Sequence, residues 1–267
     1  MHQPSMSFSD RWSLAPSSAT DWLREIAEDD GLTGFMPPPL PDAAWVLNAM
    51  YEHDRAPAGL SYDDVHRAMV ADGTAAMEIV GDIDLTAETT VTGGRLGRAD
   101  HPGQGWRRLR WAELVERSGD PVAPEGRLPC FRSFPSVRIN GSWPVSIAPP
   151  TEGSLDRESW NRLVRLLCAH SPAGADTRCL AYYSPLMLGA HDFDNLHVQA
   201  GVLGDAEELY DHPEIDFSPS NLWAEDRSWV VCTDYDLWAT KVAGPGFLIE
   251  ALLADGELEA VRLPWAC

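Results

Sequence analysis

The stretch RSWVVCTDYDLWATKVAGPGFLIEALLADGELEAVRLPW, residues 227–265, constrains the fold more than any other part of the chain. It runs from an aromatic and β-branched segment through Asp-Tyr-Asp to a second such segment. An apolar helical pattern opened by Pro245 and followed by Gly256 comes next, and then a last short strand. Val, Thr and Trp suit pleated, half-buried positions, proline suits the first turn of a helix, and glycine suits its end. Strands and a helix in such close succession require a sheet with helices laid against it. The expected class is α+β, with a mixed or antiparallel sheet flanked by helices.

The residues upstream give the same alternation. In GSLDRESWNRLVRLLCAHSP, Trp160, Leu163, Val164 and Leu167 recur at i, i+3, i+4 and i+7, which predicts an amphipathic helix over 155–169. Ser154 is the expected cap, Asp156 and Glu158 lie at the positive end, His170 caps the other end, and Pro172 stops it. SYDDVHRAMVADG predicts a helix capped by Ser61 with Val65, Ala68 and Met69 inward. SATDWLREIAEDDGL and RWAELVERSGDP read as helices, TRCLAYYSPL as a strand, and DAEELYDHP as a short acidic helix. Asn140-Gly141 suits a hairpin turn, because both residues tolerate positive φ. AAWVLNAMYEH reads equally well as strand or helix, as short apolar runs do.

At 267 residues the chain is long enough for two closely packed halves. The Pro- and Gly-containing GDPVAPEGRLP suggests a division into 19–120 and 121–267, preceded by a loose arm over 1–18. Hydrophobic residues at 44% and eleven tryptophans place it among globular proteins. The N-terminus lacks a basic start and an apolar run, and no segment has the roughly eighteen apolar residues of a membrane span. A cytoplasmic protein without membrane attachment is expected. Cys130, Cys168, Cys179, Cys232 and Cys267 show no CxxC spacing and read as reduced thiols.

A formal net charge of −21 argues against nucleic acid and anionic membranes as partners, since both demand a basic footprint. The acid is concentrated: residues 179–240 hold twelve Asp and Glu against Arg227 alone. Arg95, Arg98, Arg107, Arg108 and Arg110, by contrast, cluster against Asp100. Such polarity keeps a protein soluble, and it also steers a basic protein partner, for which Glu207, Glu208, Asp211 and Asp216 are the candidate binding residues.

Two patterns carry candidate chemistry. GAHDFDNLHV sets His191, Asp192, Asp194 and His197 within seven positions, a donor set that suits zinc, manganese or iron, although no helix enforces the spacing. Asp234 and Asp236, two apart, would share one face of an extended strand as an acid/base pair or divalent-cation ligands, or else form a turn between strands. Phosphate-cradling GxGxxG and GxxxxGK[ST] and the nucleophile motifs GxSxG and SxxK are missing from the sequence. The first reading is therefore a non-enzymatic protein that binds a macromolecular partner through its acidic surface and needs no cofactor. The alternative is a hydrolase that uses a divalent metal at the His/Asp cluster. Trp143, Trp160, Trp223, Trp229, Trp238 and Trp265 suit core anchors or an aromatic-lined pocket.

The ending SPSNLWAEDRSWVVCTDYDLWATKVAGPGFLIEALLADGELEAVRLPW is similar to the C-terminal region of uncharacterised conserved proteins of GC-rich bacteria. It also resembles, faintly, the last third of SUKH-type immunity domains, with their Trp-bearing strand, second strand and closing amphipathic helix. That resemblance implies a toxin-neutralising role and assigns no individual residue a function.

Overall fold

The computed structural model describes residues 10–27, 31–56, 59–75, 79–80, 83–84, 90–120, 128–130, 141–188 and 197–262. At its centre is an eight-stranded sheet. The strand order is β1 (Ser13–Ala15), β9 (His197–Val202), β8 (Arg178–Tyr183), β10 (Asn221–Ala224), β11 (Val230–Thr233), β12 (Ala239–Gly244), β2 (Asp42–Leu47) and β13 (Ala260–Val261). Every neighbouring pair is antiparallel. With its helices this is the α+β class that the sequence implies, in the antiparallel form.

The register explains how both faces are buried. Ala44, Val242, Val231, Leu222 and Ala181 form one row across five strands, and Ala43, Ala243, Val230, Trp223 and Leu180 form the next. Successive residues of a strand point to opposite faces. The first row therefore packs with the helices Arg157–His170 and Gly246–Leu253 and the 3-10 segment Leu203–Asp211, and the second with the helix Asp21–Ala27 and Phe35. Trp160, Leu163, Val164 and Leu167 are all buried, as their spacing demands.

Several local expectations change. Asp156, not Ser154, caps the long helix and accepts from the Ser159 N–H at 2.8 Å, because the helix begins only at Arg157. The Ser154 hydroxyl instead donates to the Leu155 carbonyl at 3.0 Å. Ser61 caps its helix with a reciprocal Asp64 contact, yet no residue of Tyr62–Ala71 is buried and Met69 is 41% exposed. Its expected inward stripe thus lies at the surface. Residues 205–213, expected as a short helix, fall largely in the 3-10 segment 203–211.

Within the expected arm, residues 1–9 lie outside the described residues, but Ser13–Ala15 supplies the edge strand β1. Trp12 is fully buried over Gly201, where a Cβ would stand 2.8 Å from its ring. Glycine permits that close approach.

The ambiguous AAWVLNAMYEH becomes two strands, β2 and β3 (Met50–His53), separated by Asn48-Ala49. This break carries the chain from the large sheet into a three-stranded one, ordered β6 (Trp106–Leu109), β3, β7 (Ile147–Ala148). Both sheets draw strands from either side of residue 120. β4 (Ile79–Val80) and β5 (Ile83–Asp84) form a separate antiparallel pair. Most of the expected 119–129 boundary and the first half of the Asn140-Gly141 turn lie outside the described residues. Among the described residues no helix is long and apolar enough to cross a membrane.

Candidate functional site

The small sheet and the loops beside it close around a cavity of about 130 Å³, lined chiefly by Tyr51, Tyr62, Trp106, Arg95, Asp100 and Asp156. That is close to the roughly 150 Å³ of a cavity that admits benzene, so the space is that of a single ring with a short substituent. Tyr51 comes from β3, Trp106 from β6, and Tyr62 begins the helix capped by Ser61. Their rings are held from outside the cavity as well as within it. His101 meets Tyr51 edge-on at 4.8 Å and His53 meets Trp106 edge-on at 5.2 Å, while the Tyr62 hydroxyl donates to the Ile147 carbonyl at 3.1 Å. Two backbone hydrogen bonds fasten the loop that carries Arg95 and Asp100 to the one that leads to Asp156. Gly97 N–H donates to the Glu152 carbonyl at 2.8 Å, and Glu152 N–H to the Arg95 carbonyl at 2.9 Å.

The floor is polar and the mouth is charged. Tyr51 and Asp156 are only 6% and 5% exposed, whereas Arg95 and Asp100 are exposed. Burial, reinforced by the negative charge of Asp156, pushes the Tyr51 hydroxyl up to about 12, so it stays protonated and can donate. Among the described residues that hydroxyl has no hydrogen-bond partner. Asp156 accepts from the Ser159 N–H at 2.8 Å and the Ser159 hydroxyl at 3.1 Å, and it forms no ion pair. Arg108 reaches the same hydroxyl from the other side, donating through Nη2 at 3.3 Å. The arrangement can hold a small ring-bearing molecule by its faces and one polar end by hydrogen bonds.

Asp234 and Asp236 occupy the turn between β11 and β12, not one face of a strand, so of their two expected geometries the structure adopts the turn. Burial and a side-chain hydrogen bond with Asp236 raise the Asp234 carboxyl to about 7, against a stabilising hydrogen bond from the Thr33 hydroxyl at 2.8 Å. Glu152 is also raised, by burial and then by the charge of Asp236, while a hydrogen bond from Trp238 lowers it. Three carboxyl groups thus gather where one proton is easily shared, a feature of acid/base sites and of strained acidic turns alike.

The candidate partner-binding acids are engaged within the chain. Glu207 pairs with Arg165 at 3.7 Å, Glu208 with Arg11 at 2.5 Å, and Asp216 with Arg98 at 3.0 Å. Asp211 takes both arms of Arg157, one at 2.9 Å, and the hydrogen bond from Arg157 holds its carboxyl below the usual range. The arginine-rich segment is spent in the same way: Arg107 binds Glu52 and Glu113, and Arg110 donates to the Gly256 and Glu257 carbonyls.

Of the expected metal cluster, His191, Asp192 and Asp194 lie outside the described residues, and His197 sits in β9 opposite Tyr183. Among the described residues no group of three or more His, Cys, Asp or Glu is arranged to hold a metal. Cys168 and Cys179 are free thiols, and the described tryptophans of the second half are core anchors. The pocket residues escape a sequence reading because they come from separate segments around positions 51, 62, 95–106 and 156, with no spacing to link them. The chain matches no protein-family model, and no curated protein or solved structure matches it significantly.

Proposed function

We propose that the protein binds a small ring-bearing organic molecule in the cavity formed by Tyr51, Tyr62 and Trp106. The observation that carries this reading is the pairing of aromatic walls with a largely buried tyrosine hydroxyl that has no hydrogen-bond partner among the described residues. Benzyl alcohol is a suitable neutral probe, followed by ligand-detected NMR on the full chain. Ala148 lines the cavity, and Ala148→Trp is expected to fill it and weaken binding at least tenfold, with the cooperative melt retained. Equal binding by wild type and variant would remove the pocket from the function.

A second reading is favoured by the acidic residues between 207 and 216, of which Asp211, Glu214 and Asp216 are exposed, the Asp216 side chain to 91% despite its ion pair. In it the protein neutralises a basic protein partner in the manner of an immunity protein. Reversing Glu207, Glu208, Asp211 and Asp216 to Lys should then slow association more than tenfold at low salt. The effect should shrink near 1 M salt, where the screening length is about 3 Å. An on-rate indifferent to both salt and reversal would leave these acids as solubilising surface.

A further inference from the structure

Resting on the pocket reading, we infer that the cavity selects a small organic ammonium ion, its cationic head on Asp156 and its apolar body between Trp106 and the two tyrosines. Asp156 is 5% exposed, lines the cavity, and forms no ion pair among the described residues. Buried carboxylates are normally paired, because desolvating an anion is costly. Its two hydrogen bonds from Ser159 use one lone pair on each oxygen, and an ionised carboxylate offers about four acceptor sites, so capacity remains for a ligand. The helix that Asp156 caps eases the negative charge but supplies only about half a unit of opposite charge.

The surroundings agree with a cation. Tyr51, whose hydroxyl has no partner among the described residues, offers a second acceptor in the same lining as Asp156. An ammonium group has three donors to satisfy. Aromatic faces attract cations most strongly where water is excluded, and Tyr51, Tyr62 and Trp106 surround this space. Four guanidinium groups stand nearby and must be weighed, of which Arg157 is paired with Asp211 and Arg98 with Asp216. Arg95 is exposed at the mouth, where solvent screens it, and Asp100 stands at the same mouth with the opposite charge. Arg108 is linked to Asp156 through the Ser159 hydroxyl rather than by direct pairing. The lining therefore carries two carboxylates against one arginine, in a protein of net charge −21.

The test compares three probes with one skeleton, benzylamine, benzyl alcohol and benzoate, by calorimetry on the full-length protein and its Asp156→Asn variant. Asparagine caps helices as well as aspartate does, so the fold is retained while the charge is removed. Wild type is expected to bind benzylamine at least tenfold more tightly than benzyl alcohol and to bind benzoate most weakly, and D156N should erase the preference for the amine. If benzyl alcohol or benzoate binds as well as the amine, or D156N keeps the preference, the cation inference is wrong while the pocket reading stands. If none of the three probes binds, the pocket reading itself falls. A Trp106→Leu variant gives a second check, since it should weaken the amine more than the alcohol without touching the cap.

Discussion

Trp160→Ala is expected to lower the unfolding free energy by about 3–5 kcal/mol, the range for emptying a large aromatic site in a packed core. Trp160 is fully buried at the heart of the helix-covered face, among Leu155, Leu163 and the 3-10 segment with Leu203 and Leu209. Its indole N–H also donates to the Ala206 carbonyl at 3.0 Å, so truncation removes a partner from a buried acceptor as well as a ring from the core. Domains of ordinary stability have only about 5–15 kcal/mol in total, so the loss would bring the variant near unfolding. Leu163→Ala, on the same face, should cost somewhat less, about 2–4 kcal/mol. Urea melts of both variants would measure this. A loss below about 1 kcal/mol for Trp160→Ala would mean that the helix Arg157–His170 does not sit on the sheet in solution.

The visibility of Trp160 in the sequence, and the invisibility of the pocket, have one physical origin. A helix repeats its contacts every three or four residues, so the buried stripe from Trp160 to Leu167 is written in local spacing. Strands β11 and β12 are legible for the same reason, since neighbouring β-branched residues point alternately to the two cores. The cap is less so: Ser154 and Asp156 are both good caps, and local sequence alone does not choose between them. The run AAWVLNAMYEH is ambiguous until Asn48 is seen to end the large-sheet pairing, its N–H still donating to the Trp238 carbonyl at 2.9 Å while its side chain donates to the Thr151 carbonyl at 2.6 Å. The pocket depends on tertiary placement alone. Nothing local brings Tyr51, Trp106 and Asp156 together, and the acids that local charge counting singles out prove to be paired with Arg11, Arg98, Arg157 and Arg165, which lie far from them in sequence. The Asp234–Asp236 pair is an intermediate case: its spacing is plain, but whether it lies on a strand or a turn depends on the register between β11 and β12.

Asp234 should impose a pH dependence on stability that an Asp234→Asn variant lacks. Burial, and the carboxyl of Asp236 hydrogen-bonded beside it, raise its folded pKa to about 7 from the ordinary 3.8. The folded state thus binds the proton more tightly than the unfolded chain. The resulting stabilisation is complete below about pH 4 and is lost as the pH rises through about 7. Above that pH the wild type must hold a further negative charge beside Asp236 and Glu152, a destabilisation on the order of 1–3 kcal/mol for a partly buried, imperfectly satisfied charge. Asparagine keeps an oxygen for the Thr33 hydroxyl and offers Asp236 a permanent N–H donor, so the variant carries no such burden. Denaturant melts should therefore find the two proteins alike near about pH 4 and the variant more stable by about 1–3 kcal/mol near about pH 8. Taking the difference between the two profiles removes every carboxylate they share. If the profiles run parallel from acid to mildly alkaline pH, the turn does not hold a shared proton, and the acid/base reading of Asp234 and Asp236 goes with it.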